Sequence, residues 1–583
     1  MPSLIATAQV DLQAADIITF AGYMIAISLI GWWFGRRKAN VEETSSGYFL
    51  AGRTLPWYVV GSSYIAANIS TEHFIGMIGA AMIYGICVAT PEWSCIIAFT
   101  FLIWIFIPFL LSAKVFTAPE FLEKRFNPGM RFFFAAVTVV ANVVAFLAPV
   151  IYGGGLALNS LLGWNLVFCI ALIGLTSGIW AIWGGLKSVA WMDLLTIIIM
   201  IGGGLLVTYF GLQSLAQGEG LVAGFQEMVT RNQAQTGVWK EALDRLTPAI
   251  VPGHETYNRL SVIQPLEHET TPWPHWVMSF FYIGLWYLAI NQFMVQRILA
   301  AKNMYHARMG IVFAGYLKLL LPFIVVVPGL IYFAMHPEIL LAGSSVAEVR
   351  PEADKTYTNL IRDYVPVGIK GILMAALFGA IQSTVSAVLA STSTVITFDF
   401  YRRHFRPEAT DRATIRFGRI TTSILLVASI ALGVWISGLK SSLFVYIQQL
   451  FMFFAPPFSA VFLLGILWRR INGTAALATV WLGFAFGIAV KFWVNTGEAP
   501  AWLAPYSNQG LVNWAICMVL CIAISLVTAP PRPEQVTDDL TLNWQKMNIG
   551  GDLGDRWYNS VTLWWGLSVV LMIGFIFLFG VVL

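Results

Sequence analysis

Long apolar stretches recur along the whole chain, at roughly 17–35, 56–80, 85–113, 130–155, 165–183, 190–212, 275–297, 309–335, 367–397, 416–437, 441–467, 472–493, 510–528 and 559–582. That is about fourteen candidates, each near the ~20 residues that carry a helix across a ~30 Å hydrocarbon layer. None shows the short period-two segments of a membrane β-barrel. The pattern predicts an all-α polytopic membrane protein. One stretch is interrupted where it should be most apolar: Ala66-Ala67-Asn68-Ile69-Ser70-Thr71-Glu72-His73 sits near the middle of 56–80. Polar groups at that depth cost free energy unless they find a partner or water. The run therefore predicts a broken helix on a solute or ion pathway.

Further stretches carry polar groups that need an explanation. Glu92 stands in Thr90-Pro91-Glu92-Trp93, near the outer end of 85–113. Lys318 lies nine residues past Met309, some 13–14 Å into the bilayer at about 1.5 Å per residue. A charge at the bilayer centre costs at least ~2.5–3.5 kcal/mol, so a partner is expected. Glu92 and Lys318 are suited to offset one another or to share a polar ligand. The alternatives are an exposed interfacial acid and a lysine that snorkels to the cytoplasmic face.

The stretch 367–397 holds Gly379-Ala380-Ile381-Gln382-Ser383-Thr384-Val385-Ser386 and then Ala390-Ser391-Thr392-Ser393-Thr394. Small residues and hydroxyls at this density permit close helix packing. They also suit a cation that needs several oxygen ligands, completed by carbonyls freed at the break near Asn68. Gln448, in Tyr446-Ile447-Gln448-Gln449, offers an amide either to a neutral polyol or to a neighbouring helix.

Charge supplies orientation. Arg36, Arg37, Lys38 and Arg53, then Lys114, Lys124 and Arg125, Lys187, then Arg297, Lys302 and Arg308, then Arg402, Arg403, Arg406 and Arg412, and finally Arg469 and Arg470 fall in alternate loops. The opposite short loops hold little beyond Lys440, and residues 1–16 have neither Lys nor Arg. The basic loops are predicted to face the cytoplasm, with both termini outside. Apolar residues make up 58% of the chain and charged residues 11%, which sets it far from soluble proteins. The net charge of +4 is then a topology signal, and nucleic acid is not an expected partner. Cys87, Cys95, Cys169, Cys517 and Cys521 all lie in apolar stretches without metal-site spacing, as small packing residues do. The amino terminus lacks the basic region of a cleaved signal, so the first stretch is expected to be retained. The loops at about 213–272 and 336–366 are long enough to cap the pore as short helices. The stretch 529–558, opening Ala-Pro-Pro-Arg-Pro, reads as a cytoplasmic linker.

With these residues in place, the chain resembles the solute:sodium symporter family, and within it the sodium–glucose branch. The likeness is carried by Gly61–Gly76 (GSSYIAANISTEHFIG), Tyr48–Arg53 (YFLAGR), Thr117–Phe126 (TAPEFLEKRF), Gly184-Gly185-Leu186, Asn291-Gln292, Gln296-Arg297, Tyr316-Leu317-Lys318 and Phe462–Gly465 (FLLG). It runs from about residue 17 to 470 and weakens beyond. The resemblance implies a leucine-transporter-type fold: two inverted five-helix repeats, at about 56–212 and 275–467, around a central site. An extra first helix at 17–35, extra helices at 472–528, and a last helix at 559–582 flank them. By position, the family's sugar contacts fall on Asn68, His73, Glu92, Lys318 and Gln448. Tyr287 matches the inner gate; Met77 and Phe444 match the outer lid. The sodium site falls on the backbone of Ala66, Ile69 and Ala380 and on the hydroxyls of Ser383 and Thr384, with Asp193 a nearby sodium-associated acid. Departures from the branch's pattern are Leu288 for Trp, Gly284 for a polar contact, Thr196 for Gln and Thr384 for Ser; His73 follows the animal members. These bear on which sugar fits.

The resulting expectation is sodium-coupled symport of a monosaccharide or similar neutral polyol by alternating access, in the plasma membrane (the inner membrane of a bacterium). The partners are the sugar, Na+ and the lipid bilayer. No nucleophile–base constellation points to an enzyme. Two rivals stand beside it: a relative that carries an amino acid, carboxylate or vitamin, and a sensor that binds solute without moving it.

Overall fold

The computed structural model describes residues 12–36, 43–112, 115–437, 443–543 and 550–583, the side chains of 443–446 excepted. Helices dominate, and among the described residues the only β pairing is an isolated bridge between Leu55 and Ala301. Among the described residues, eleven helices are individually long and apolar enough to span a bilayer. The bent pair Pro274–Ile290 and Gln292–Leu299 forms one more. Two further crossings appear once the breaks are read physically. Trp57–Asn68 and the segment Glu72–Tyr84 are each too short to cross alone, yet they run on as one interrupted span. The helix Leu166–Leu215 has 50 residues, about 75 Å at 1.5 Å per residue, far more than the ~30 Å layer. It turns at Gly185, whose φ of 60° and ψ of −159° are not helical. By length and composition the described residues hold eleven or twelve candidates against the fourteen of the apolar pattern, and the two readings differ at these breaks.

Gly185 has no substitute at that corner. Its positive φ disfavours an L side chain, and a Cβ there would lie 2.5 Å from the Tyr48 carbonyl oxygen. The Tyr48 hydroxyl donates to the carbonyls of Ala181 and Ile182, both at 3.0 Å, and so closes the turn. Two sequence motifs 130 residues apart are in this way one structural device.

The centre of the bundle is Ile369–Val395, in which almost every residue is buried. Some of its hydroxyls bond carbonyls one turn back, as Thr392 does on Val388 (2.7 Å) and Thr394 on Ala390 (2.7 Å), while others reach neighbouring helices, as Ser386 does at Ser177 O (2.6 Å) and Ser393 at Gly418 O (2.7 Å); both keep a polar helix admissible in an apolar core. This helix packs chiefly on Leu166–Leu215 and next on Ala14–Gly35, with the broken span and Asp411–Ile436 also against it. Apolar side chains at the periphery, such as Ile17, Ile18, Ile25 and Leu29 of the first helix, are exposed, as a lipid-facing surface requires. Four of the five cysteines are buried and Cys95 is half-buried; all are free.

The long loops do form caps. Leu221–Asn232 and Gly237–Ile250 cover one end, with Val346–Ala353 and Thr356–Tyr364 beside them. Arg259 ties this cap to the broken span: it is fully buried and donates to the carbonyls of Ala81, Met82 and Ile83. A cation is the natural partner for unsatisfied carbonyls at a helix C-terminus. The described part of 529–558 is not a free linker. Leu542 N–H donates to Ile466 O at 2.8 Å, Asp538 pairs with Arg469 at 2.6 Å, and Gln535 donates to Phe126 O.

Candidate functional site

The site starts at the break. The helix Trp57–Asn68 ends because Ile69 adopts extended backbone (φ −84°, ψ 124°). The Ser70 amide, which would have bonded Ala66 O in a continuing helix, instead donates to His73 Nδ1 at 3.3 Å. Thr384 Oγ1 donates to the carbonyls of Ala67 (3.1 Å) and Ile69 (2.9 Å). A hydroxyl and two carbonyl oxygens thus meet at the break. The carbonyl that shares Thr384 with Ile69 is that of Ala67, whereas the resemblance implied Ala66; Ala66 loses its helical donor but is not bonded by Thr384.

Ser383 is buried without a hydrogen bond of full geometry. It and Asp193 line a second, small cavity of about 10 Å³ with Thr196 and Ser386, roughly the room one water needs. Ser63 Oγ donates to Asp193 Oδ2 at 2.5 Å, and Arg297 Nε donates to Ser63 Oγ at 3.2 Å. Ala380 is buried one helical turn before Thr384.

On the other side of the break lies a cavity of about 110 Å³, whose walls include all five predicted sugar contacts. Glu92 is in the first turn of Thr90–Phe101 behind Pro91, where the helix N-terminus favours an anion. Lys318 Nζ donates to Glu92 Oε2 at 2.5 Å and also to Asn68 Oδ1. Exposures of 4% for Glu92 and 2% for Lys318 rule out the interfacial acid and the snorkelling lysine. His73 Nε2 stands 3.5 Å from Glu92 Oε1. Asn68 Nδ2 donates to the Tyr287 hydroxyl at 2.6 Å, and the Tyr287 ring stacks on Phe146 at 5.8 Å. The Leu288 carbonyl accepts from Tyr64 at 2.7 Å. Tyr287 and Leu288 form the floor, and Gly284 leaves open wall beside them.

Gln448 meets a helix and the cavity at once: its Nε2 donates to Glu72 Oε1 at 2.9 Å. Met77 is buried in the cavity wall, while the Phe444 side chain lies outside the described residues. Sequence reasoning missed Glu72 as a wall residue, although it sits inside the polar run that pointed to the break. It also missed Tyr84, Thr271 and Tyr506, which line the cavity toward the capping loops. These last carry no polar-in-apolar signal, since they come from a loop and two helix ends brought together only by folding.

A membrane core with one helix unwound at mid-depth, a second bent by 53° at Asn291, and polar side chains converging between them is that of a secondary transporter. The solved Na+-coupled sialic acid symporter, in a substrate-bound outward-open state, shares the fold with a TM-score of 0.72 at 20% identity, over 89% of this chain and 99% of that one. The chain belongs to the sodium:solute symporter family, whose pattern matches residues 48–483, and sodium is its coupling ion. It is 32% identical over 548 residues to the sodium/glucose cotransporter of Vibrio parahaemolyticus, covering 92% of this chain and 96% of that one. It is also 32% identical over 570 residues to the sodium/myo-inositol cotransporter of Mus musculus, over 92% and 76% of the two chains. The sodium/glucose cotransporter 4 of Danio rerio is 29% identical over 551 residues, covering 90% and 80%.

Proposed function

We propose that this protein is a sodium-coupled symporter of a monosaccharide or similar neutral polyol, working without a covalent step. The observation that carries the reading is the convergence of Asn68, His73, Glu92 and Lys318 on one cavity at the helix break, with Tyr287 bonded beneath them. Each hydroxyl of a polyol both donates and accepts. Paired donors and acceptors such as Lys318 and Glu92 can exchange bonds with its hydroxyls without stranding a buried charge. Relatives that carry glucose and myo-inositol support the same solute class.

In this mechanism sodium takes the oxygens of the break, at Ala66 and Ile69, together with Ala380, Ser383 and Thr384, and Asp193 balances its charge nearby. Sodium bound there holds the two halves of the interrupted helix in the outward-open arrangement. Sugar then bonds Asn68, His73, Glu92, Lys318 and Gln448, the lid at Met77 and Phe444 closes, and Tyr287 yields inward. Each ligand moves the equilibrium only by its differential affinity for the two states. One sodium entering down ~100 mV and a tenfold gradient supplies roughly 2.3 plus 1.4 kcal/mol, enough for several-hundred-fold accumulation of a neutral solute. The repeats run over 56–212 and 275–467, the basic loops face the cytoplasm, both termini lie outside, and the host membrane is the plasma membrane.

The test is counterflow in proteoliposomes with labelled glucose, galactose and myo-inositol, with sodium or with choline in its place. Sodium-dependent accumulation of at least one of them is expected. Sodium-driven proline uptake without sugar uptake would overturn the solute class, and solute binding without accumulation would replace the transporter by a sensor.

A further inference from the structure

The cavity holds one carboxylate more than the sugar-contact set accounts for. Glu72 opens the outer half of the interrupted helix, immediately past the break, and stands in the cavity wall. Its Oε1 accepts from the Gln448 amide at 2.9 Å, and its backbone N–H donates to Ser70 Oγ at 3.2 Å. Both partners are neutral. Among the described residues no Lys, Arg or His lies within ion-pairing distance of Glu72, and its Oε2 has no hydrogen-bond partner.

The other charged groups of the wall are already matched. Lys318 is bonded to Glu92 at 2.5 Å. His73 accepts the Ser70 amide on Nδ1 at 3.3 Å and turns Nε2 to Glu92 Oε1 at 3.5 Å. His275 is tied through Nδ1 to the Tyr282 hydroxyl at 2.5 Å. Two carboxylates therefore line a cavity with a single lysine, which bonds Glu92, and Glu72 is the one without a cation in pairing distance.

We infer that Glu72 determines specificity by charge: the cavity admits neutral polyols and their cationic amino derivatives and rejects acidic sugars. The inference rests on the reading of this cavity as the solute site. The scaffold by itself imposes no such rule, because a symporter of the same fold carries sialic acid. A solute carboxylate about 5 Å from Glu72, at an effective dielectric of ~20, is disfavoured on the order of a hundred-fold. A protonated amine in its place gains a partner that the protein does not supply. Substrate discrimination of this kind uses a repulsive group as much as attractive ones.

Glucose, 6-amino-6-deoxyglucose and glucuronate differ in charge at one carbon, and they are the probes. Their competition against sodium-dependent uptake of the best labelled neutral sugar is measured in proteoliposomes of the full chain, alongside thermal-shift binding in sodium. The amino sugar is expected to compete within about tenfold of glucose and glucuronate on the order of a hundred-fold more weakly. In Glu72→Gln the ratio between glucuronate and the amino sugar should narrow at least tenfold. The ratio cancels any general loss of affinity in the variant. Glucuronate competing as well as the amino sugar in the natural protein would overturn the inference, and so would an unchanged ratio in a folded Glu72→Gln. If the variant does not fold, the natural protein's ratio still decides. A failure of the symport reading is separate: it shows as no sodium-dependent uptake of any neutral sugar, while thermal-shift binding still reports the charge preference.

Discussion

Lys318→Ala removes the one cation that matches the buried Glu92. The lysine donates to Glu92 Oε2 at 2.5 Å and to Asn68 Oδ1, so the variant loses two charge-assisted bonds. It leaves a carboxylate of 4% exposure with only the His73 ring, 3.5 Å away. Breaking a buried pair by deleting one partner costs about 3–5 kcal/mol. A loss of about 3 kcal/mol from the solute-competent state is roughly a hundred-fold in sugar affinity. Half-saturation of sodium-driven sugar uptake should rise by about that factor. Apparent sodium affinity should move far less, since Ser383 and Asp193 line a separate cavity without Lys318. The decisive comparison is a double-mutant cycle with Glu92→Gln. Neutralising the stranded carboxylate in the Lys318→Ala background should recover at least ~2 kcal/mol of thermal stability in detergent, because the cost lies in the unpaired charge. Strictly additive effects of the two substitutions, or sugar affinity unchanged in Lys318→Ala, would refute the coupling and with it the role of this pair.

Other perturbations reach different parts of the machine. Ser383→Ala deletes a buried hydroxyl that no protein group satisfies, and about a tenfold fall in apparent sodium affinity is expected; ordinary sodium dependence would move the cation elsewhere. Tyr287→Phe removes the acceptor for Asn68 Nδ2 while the ring keeps its stack on Phe146. A cost of about 1 kcal/mol is expected, read as several-fold faster sugar efflux, and efflux unchanged would deny Tyr287 a gating role. Gly185→Ala combines positive φ with a Cβ 2.5 Å from Tyr48 O, so folded yield should collapse, whereas Gly202→Ala, with open space around it, should express normally. In the capping loop, burial holds the His268 imidazole down to about 3. Its neutral Nδ1 accepts the Thr270 and Thr271 amides at 3.3 and 3.2 Å. The folded value lies below the unfolded one near 6.5, so this stabilisation is complete above pH 6.5 and is lost as pH falls toward 3. Hydrogen exchange over 262–273, corrected for intrinsic rates, should accelerate from pH 7 to pH 4, and a flat profile would exclude the histidine as the latch.

Periodicity and charge sufficed for the class of molecule because lipid is a strict solvent. Every backbone group in it must be satisfied within a helix, so long apolar runs have one solution, and any polar cluster inside them demands a reason. Asn68, Glu92, Lys318 and Gln448 were legible for that cause, and so was the interruption at 66–73. The fold also put a corner at Gly185, between the two apolar runs 165–183 and 190–212.

Other features came only with the folded chain. Polarity in an apolar run says that a partner exists, not which partner. That Lys318 reaches Glu92 and Asn68 across 226 and 250 positions, that Gln448 bonds Glu72 from 376 residues away, and that Thr384 faces Ala67 rather than Ala66 depend on how helices pack. The wall toward the capping loops, at Tyr84, Thr271 and Tyr506, left no trace in sequence, because residues at loops and helix ends are normally solvated and their polarity is unremarked. Solvation by lipid is decided residue by residue along the chain, whereas the pairing of buried charges is decided by distances that only the assembled bundle sets.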